Sequence, residues 1–418
     1  MAQLSNDCFA FGGALMRVDE ALALVEERLA PVVGAQSVPL VEADGRILAD
    51  PVHAPIPLPP FFNSAVDGYA VRHADLDAAG PTRLPVAGRL PAGAAPGGGE
   101  GARVALRIFT GAAMPEGFDT VYMQEDARRE GEAVVLPAGL KAGANAREAG
   151  EDIARGALAL PAGQRLSPRD VALLAGLGIE RVDVRAPLVV GVFSTGDELV
   201  APGGTLAPAQ LYDANRFMLG ALLRRLGCAV VDLGILPDRR ADVARALAAA
   251  AERVDVLITS GGVSTGEEDH VKAAVEEAGA LTFWRVGIKP GRPVALGVVK
   301  GRAFIGLPGN PAAVYVTFTI IARALIARLS GETWRRPQGV PVRAGFAYRK
   351  KEGRREFVRC ALALGADGAA IARKHPREGA GIITSLTQTD GLVELPEDVT
   401  RIAEGDPVTF LDHAILCR

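Results

Sequence analysis

VDVLITSGGVSTGEEDH, residues 254–270, decides the fold of this chain. Its first part, Val254 to Ser260, is mostly apolar and rich in β-branched residues, with Asp255 the one charge. A short apolar run closed by a glycine pair reads as a buried strand followed by a loop. Glycines after such a strand offer backbone amides to a phosphate. Three carboxylates, Glu267, Glu268 and Asp269, follow at once. A helix is expected over 269–278.

Outward from that strand the same alternation continues. Strands are expected over 188–193, 230–236, 254–259, 294–299 and 303–307, and helices over 215–226, 240–253, 269–278 and 312–329. Nearly continuous apolar strands separated by helices predict a parallel sheet covered on both faces, a doubly wound α/β domain. Ligands of such sheets sit at the carboxyl ends of the strands.

The flanks differ. A helix is expected over 19–30, with Ala21, Leu22, Leu24, Val25 and Leu29 on one apolar face and Pro31 as its stop. Pro51, Pro55, Pro57, Pro59 and Pro60 make a stiff, extended crossing segment. Residues 71–140 read as irregular β structure. A helix over 167–177 has Ser167 as cap and Pro168 at its first position. After Arg336 short β runs, such as 356–363 and 391–396, announce a small closing β domain.

With 418 residues, two to four domains are expected. The net charge of −3 gives no global basic field for nucleic acid or an anionic membrane, so any anion site is local. No run is expected to reach the roughly 18 to 20 apolar residues of a membrane helix, and Met1 to Asp19 lacks the pattern of a signal peptide. Cys8, Cys228, Cys360 and Cys417 are far apart, as are the five histidines. Free thiols in a reducing cytoplasm are expected, not disulfides or zinc.

Four loops of the α/β part carry unusual residues: 194–198 (STGDE), 261–266 (GGVSTG) leading to Asp269, 289–293 (KPGRP) and 306–311 (GLPGNP). The first, second and fourth belong on one sheet edge by the strand-end rule; the third precedes a strand. Gly261, Gly262 and Gly266 let the backbone approach a ligand closely, and Ser264, Pro308 and Asn310 stand with them as binding candidates. Lys289 and Arg292 add positive charge. Glu198 and Asp269 have two readings, helix caps or Mg²⁺ ligands against phosphate oxygens. Glu267 and Glu268 read as first-turn helix charges.

Eight stretches together resemble the molybdopterin molybdenumtransferase family, MoeA of bacteria and the gephyrin E domain of animals. They are PPFFNSAVDGYA (59–70), FTGAAMPEG (109–117), REAGEDI (147–153), STGDEL (194–199), LYDANRFML (211–219), TSGGVSTGEEDHVK (259–272), VGIKPGRP (286–293) and GLPGNPAA (306–313), in family order. The resemblance implies four parts: a helical dimerisation part from 1–49 and 147–186, an elongated β-rich domain at 50–146, a molybdopterin-binding α/β domain at 187–332, and a C-terminal β barrel at 333–418. It implies a homodimer whose sites are shared between subunits. It implies insertion of molybdate into adenylylated molybdopterin, with Mg²⁺ assisting, hydrolysis of the pyrophosphate link and release of AMP. A pyrophosphate with Mg²⁺ accounts for a loop that joins amides to carboxylates.

Carried over by motif, Asp67, Asp152, Glu198, Asp213 and Asp269 match acidic positions of the cleft. Thr110 would line the wall with Asp67. Lys289, Arg292 and Arg285 match basic positions near the substrate. Arg354 and Ser385 match barrel positions that help hold molybdate. Implied partners are a molybdopterin adenylyltransferase upstream and cofactor carriers downstream, with no nucleic acid and no membrane. The sequence departs from the family at Val66, where Met is common, at Arg285 and Arg292, where Lys is common, at Thr384 beside Ser385, and at Ala312 and Ala313, where a Ser or Val is frequent. Two alternatives are weighed: the adenylyltransferase, which is a compact single domain with a GGTG loop, and a non-catalytic scaffold, which would not need Asp67, Glu198 and Asp269. Nothing in the loops separates molybdate from tungstate.

Overall fold

The computed structural model describes residues 4, 16–97, 103–262, 270–291 and 294–417. At its centre is a six-stranded sheet in the order Ala229–Leu236, Val189–Thr195, Val256–Ser260, Arg302–Leu307, Val294–Val299, Gly279–Trp284. All of Val256–Ser260 is buried, which explains its unbroken apolar run. Residues of one strand divide by parity between two cores. Val256 and Ile258 join the cluster that holds Leu219, Leu223 and the helix from Pro311; Leu257 joins the cluster that holds Val243, Leu247, Val271 and Val275. Helices Asn215–Arg225 and Pro311–Leu329 therefore cover one face, and helices Arg240–Ala250 and His270–Ala278 the other.

The sheet is mixed, not wholly parallel. The first four strands run parallel. Val294–Val299 pairs antiparallel with Arg302–Leu307, and Gly279–Trp284 antiparallel with Val294–Val299. The reversal is made at Lys300 and Gly301, both with positive φ (48° and 76°), the geometry of a two-residue hairpin turn. Gly279–Trp284 is a strand absent from the sequence expectation.

The helix Pro311–Leu329 corrects a second expectation. It is 19 residues long with mean hydropathy 1.6, enough by length and composition to span a membrane. It is 89% buried in the protein, so its apolar surface serves the core. A π-helical turn, Phe318–Ala322, interrupts it.

Val18–Arg28 buries Val18, Ala21 and Val25 in the same core. Ala35–Pro39 pairs antiparallel with Arg181–Arg185, and Val38, Leu48, Leu166, Leu174 and Val184 form a small core of their own. The helix Pro168–Gly176 starts as expected: Ser167 N–H and hydroxyl both donate to Asp170. The β-rich part is a six-stranded sheet in which Gly68–Val71 lies between Thr120–Met123 and Ala105–Ile108. At the C-terminus five strands close into a barrel: Arg355–Leu364, Ala370–Lys374, Val340–Ala344, Pro407–Asp412, Gly391–Leu395 and back to Arg355–Leu364.

Candidate active site

A cleft of 460 Å³ opens at the carboxyl edge of the parallel strands. Thr195, Glu198, Asp213, Asn215, Ser260, Gly261, Gly262, Gly309 and Asn310 line it, with Gly381 and Ile383 reaching in from the barrel. The glycines have steric reasons to be there. A Cβ on Gly262 would stand 2.4 Å from Thr195 Oγ1 and 2.8 Å from Val271 Cγ2. Gly261 and Gly309 face each other, a Cβ on either meeting the other's Cα at 3.9 and 3.7 Å. Asn215 Nδ2 donates to Gly309 O at 2.7 Å and ties that loop to the helix Asn215–Arg225.

The strand Val294–Val299, which follows the third loop, also has its start at this edge. Val294–Val299 runs against its neighbours, so its start lies beside the end of Arg302–Leu307, with Ala295 opposite Gly306. Lys289 itself turns outward and pairs in strand register with Glu356 of the barrel.

The carboxylates differ in state. Glu198 lines the cleft and is exposed. Asp213 is 2% exposed and committed to Arg216, which donates from Nε to its Oδ2 at 2.8 Å and also bonds Asp232. Its charge is spent on holding the cleft wall. Asp238, which sequence reasoning missed, stands two residues beyond the strand Ala229–Leu236. Burial raises its carboxyl above the ordinary range; His270 opposes this, and Asp197 and Glu198 add to it. Its position just past a strand end was the available signal.

Asp67 and Thr110 meet on the β-rich part. Thr110 donates to Asp67 Oδ1 from both N–H and hydroxyl, each at 2.8 Å. The backbone bond first and then the hydroxyl bond hold the Asp67 carboxyl below its usual value. This pair is not in the lining of its own chain's cleft. Asp152 is exposed, on a loop whose N–H bonds Leu58 O at 3.0 Å. Arg285 is exposed, and its carbonyl accepts from Met16 N–H at 3.0 Å. Pro308 is half-buried at the base of its loop. Ser264, Gly266, Asp269 and Arg292 lie outside the described residues.

In the barrel Ser385 is fully buried; its hydroxyl donates to Ile382 O at 2.6 Å and accepts from Arg359 Nε at 3.0 Å. Arg359, not Arg354, is therefore the arginine that meets Ser385. Arg359 also donates to the carbonyls of Glu378 (2.8 Å) and Gly379 (3.2 Å). Arg354 contributes only its carbonyl, to Lys350 Nζ at 2.7 Å, among the contacts of the described residues. A small cavity of 40 Å³ lies here, where Lys289, Arg359, Lys374 and Arg377 outnumber Glu356 and Glu378. Lys289 Nζ is 3.0 Å from Glu356 Oε2. Burial pushes the Tyr348 hydroxyl up, with Glu356 adding to it. Cleft and barrel touch directly: Ala312 N–H, in the first turn of its helix, donates to Ala380 O at 2.9 Å.

A two-faced α/β domain with glycine loops at its strand ends, joined to a β-rich part and a barrel, defines a class shared with known proteins. Residues 16–178 match the MoeA N-terminal region (domain I and II). Residues 191–328 match a probable molybdopterin binding domain, and 341–412 the MoeA C-terminal region (domain IV). A molybdopterin molybdenumtransferase of Haemophilus influenzae is 38% identical over 95% of this chain and 98% of its own length. One of Nostoc is 36% identical over 90% and 88%. A crystal structure of the molybdopterin biosynthesis MoeA protein from Pyrococcus horikoshii superimposes with a TM-score of 0.79 at 28% identity, over 95% of this chain and 99% of that one. The chain belongs to the molybdopterin molybdenumtransferase family.

Proposed function

We propose that this enzyme of molybdenum cofactor biosynthesis inserts molybdate into adenylylated molybdopterin, cleaves the pyrophosphate link and releases AMP. The observation that carries the reading is the 460 Å³ cleft, where glycine loops and carboxylates share one sheet edge and a cationic barrel pocket lies alongside. The glycine loop at Gly262 suits pyrophosphate oxygens, whereas the Gly261 N–H is bonded to Leu307 O at 3.0 Å and the Ala312 N–H to Ala380 O at 2.9 Å. Lys289, Arg359 and Lys374 suit a tetrahedral oxyanion, Arg359 through its fork of donors. Ser385 orients that fork.

The donors at the cleft fit Mg²⁺ arriving with its substrate. Among the described residues no group of three or more His, Cys, Asp or Glu side chains could hold a metal alone. Mg²⁺ needs only one or two carboxylates, with phosphate oxygens and water completing its shell. Glu198 and Asp269 would hold it, and when bound it would neutralise charge on the pyrophosphate.

Asp67 and Thr110 enter this reading from a second subunit. They sit together, Asp67 half-buried and Thr110 exposed, on a part of the fold that does not line its own cleft. A homodimer with shared sites puts the pair to use. The four parts, at 1–49 with 147–186, 50–146, 187–332 and 333–418, are the units of that dimer. The reading also takes in an upstream adenylyltransferase, downstream carriers and the cytoplasm as the place of reaction. The free Cys228, Cys360 and Cys417 suit a reducing compartment.

The test is AMP release from purified protein given adenylylated molybdopterin and Mg²⁺, with and without molybdate. AMP that appears only with molybdate supports coupled insertion. No AMP from folded, dimeric protein overturns it.

A further inference from the structure

Buried polar atoms without partners collect at one edge of the α/β sheet. Among the described residues, Ser194 Oγ, Thr195 Oγ1, Thr259 Oγ1 and Asn215 Oδ1 are all covered and unbonded. Unpaired buried groups are destabilising, so such a concentration calls for a cause. Thr195 and Asn215 line the cleft.

Their chemistry is specific. Asn215 spends its amide donor on Gly309 O at 2.7 Å, which leaves its Oδ1 as an acceptor with nothing to accept from. An unpaired acceptor repels phosphate oxygens and suits an N–H. Thr195 is 4% exposed, and its hydroxyl can donate or accept. It occupies the space that only a glycine at position 262 leaves open. A fixed acceptor next to an adaptable hydroxyl matches the edge of a nitrogen heterocycle, where N–H and ring nitrogen or carbonyl alternate.

We infer that Thr195 and Asn215 are specificity-determining residues that take the donor–acceptor edge of a planar heterocycle in the substrate. The inference rests on the adenylylated pterin substrate proposed above, whose adenine and pterin both present such an edge. Gly262 lies against Thr195, so pyrophosphate held at the Gly262 loop would bring one of the two rings near this edge.

The test uses full-length protein, with AMP alone and molybdopterin alone as probes, and the variants Thr195→Val, Thr195→Ser and Asn215→Ala. Thr195→Val removes an unpaired hydroxyl without changing shape, so its thermal midpoint stays level or rises. Its affinity for one probe falls about tenfold, the size of one hydrogen bond whose ligand partner is left unpaired. Thr195→Ser keeps affinity within about twofold, and Asn215→Ala weakens the same probe as Thr195→Val. Loss on the AMP arm places adenine at this edge; loss on the molybdopterin arm places the pterin. Unchanged binding of both probes by Thr195→Val overturns the inference, and so does equal weakening by Val and Ser. If the variants show these binding differences but wild-type protein never releases AMP, the insertion reaction is overturned and the heterocycle site stands.

Discussion

Gly262 and Gly309 lie in the same cleft, yet alanine should affect them differently. Gly262 has φ +64°, a region that costs an L-residue about 1 to 2 kcal/mol. Its new Cβ would also lie 2.4 Å from Thr195 Oγ1 and 2.8 Å from Val271 Cγ2, below any tolerated contact. Thr195 and Val271 are 4% and 0% exposed, so neither has open space to retreat into. Overpacking of this kind costs a further 1 to 3 kcal/mol, roughly. Gly262→Ala should therefore destabilise the α/β part by about 2 to 5 kcal/mol. Gly309 has no positive φ, and its Cβ would meet only Gly261 Cα at 3.7 Å, an ordinary contact. Gly309→Ala should change stability by less than about 0.5 kcal/mol. Urea unfolding followed by tryptophan fluorescence reads both, since Trp284 is buried in the same sheet. A loss below about 0.5 kcal/mol for Gly262→Ala, or equal losses for the two variants, would refute the steric account of the loop.

Three further outcomes are expected. Thr110→Val removes the hydroxyl bond to Asp67 and keeps the backbone bond, so the Asp67 carboxyl rises toward its ordinary value; the acid limb of the AMP-release profile then moves to higher pH, and an unmoved limb would remove Asp67 from it. Arg359→Lys loses the fork on Ser385 and the 378–379 carbonyls and should raise KM for molybdate, whereas Arg354→Ala should leave it unchanged; the reverse order in steady-state kinetics would restore Arg354. Burial holds the His413 imidazole below its ordinary 6.5, against the pull of Asp412 and Asp390. The unfolded chain then takes up the proton first, so the His413 contribution to stability is present above pH 6.5 and is lost as pH falls below it. His413→Asn should flatten the fall in thermal midpoint between neutral pH and pH 5, and an unchanged slope would assign that fall elsewhere.

The strands over 189–195, 256–260 and 302–307 were legible because burial on both faces leaves little polar residue in them. Gly279–Trp284 was not, because its sequence, GALTFW, has no unbroken aliphatic run and follows the helix directly, with a single glycine at the junction. The mixed direction of the sheet was hidden in two residues, Lys300 and Gly301. Glycine loops and exposed carboxylates could be read as motifs. Arg359 could not, since Arg354, Arg355 and Arg359 stand close together in GRREFVRC and only strand register tells which one meets Ser385. Asp213 looked like Glu198 in the sequence; its commitment to Arg216 is a matter of burial, which spacing does not encode.

The bond from Ala312 N–H to Ala380 O joins a first-turn amide of the cleft helix to the barrel. First-turn amides have no partner inside their own helix. This one is therefore shielded only while the barrel is seated. Its hydrogen-exchange rate is a gauge of how often the two parts separate, readable at a single amide and independent of any catalytic assay.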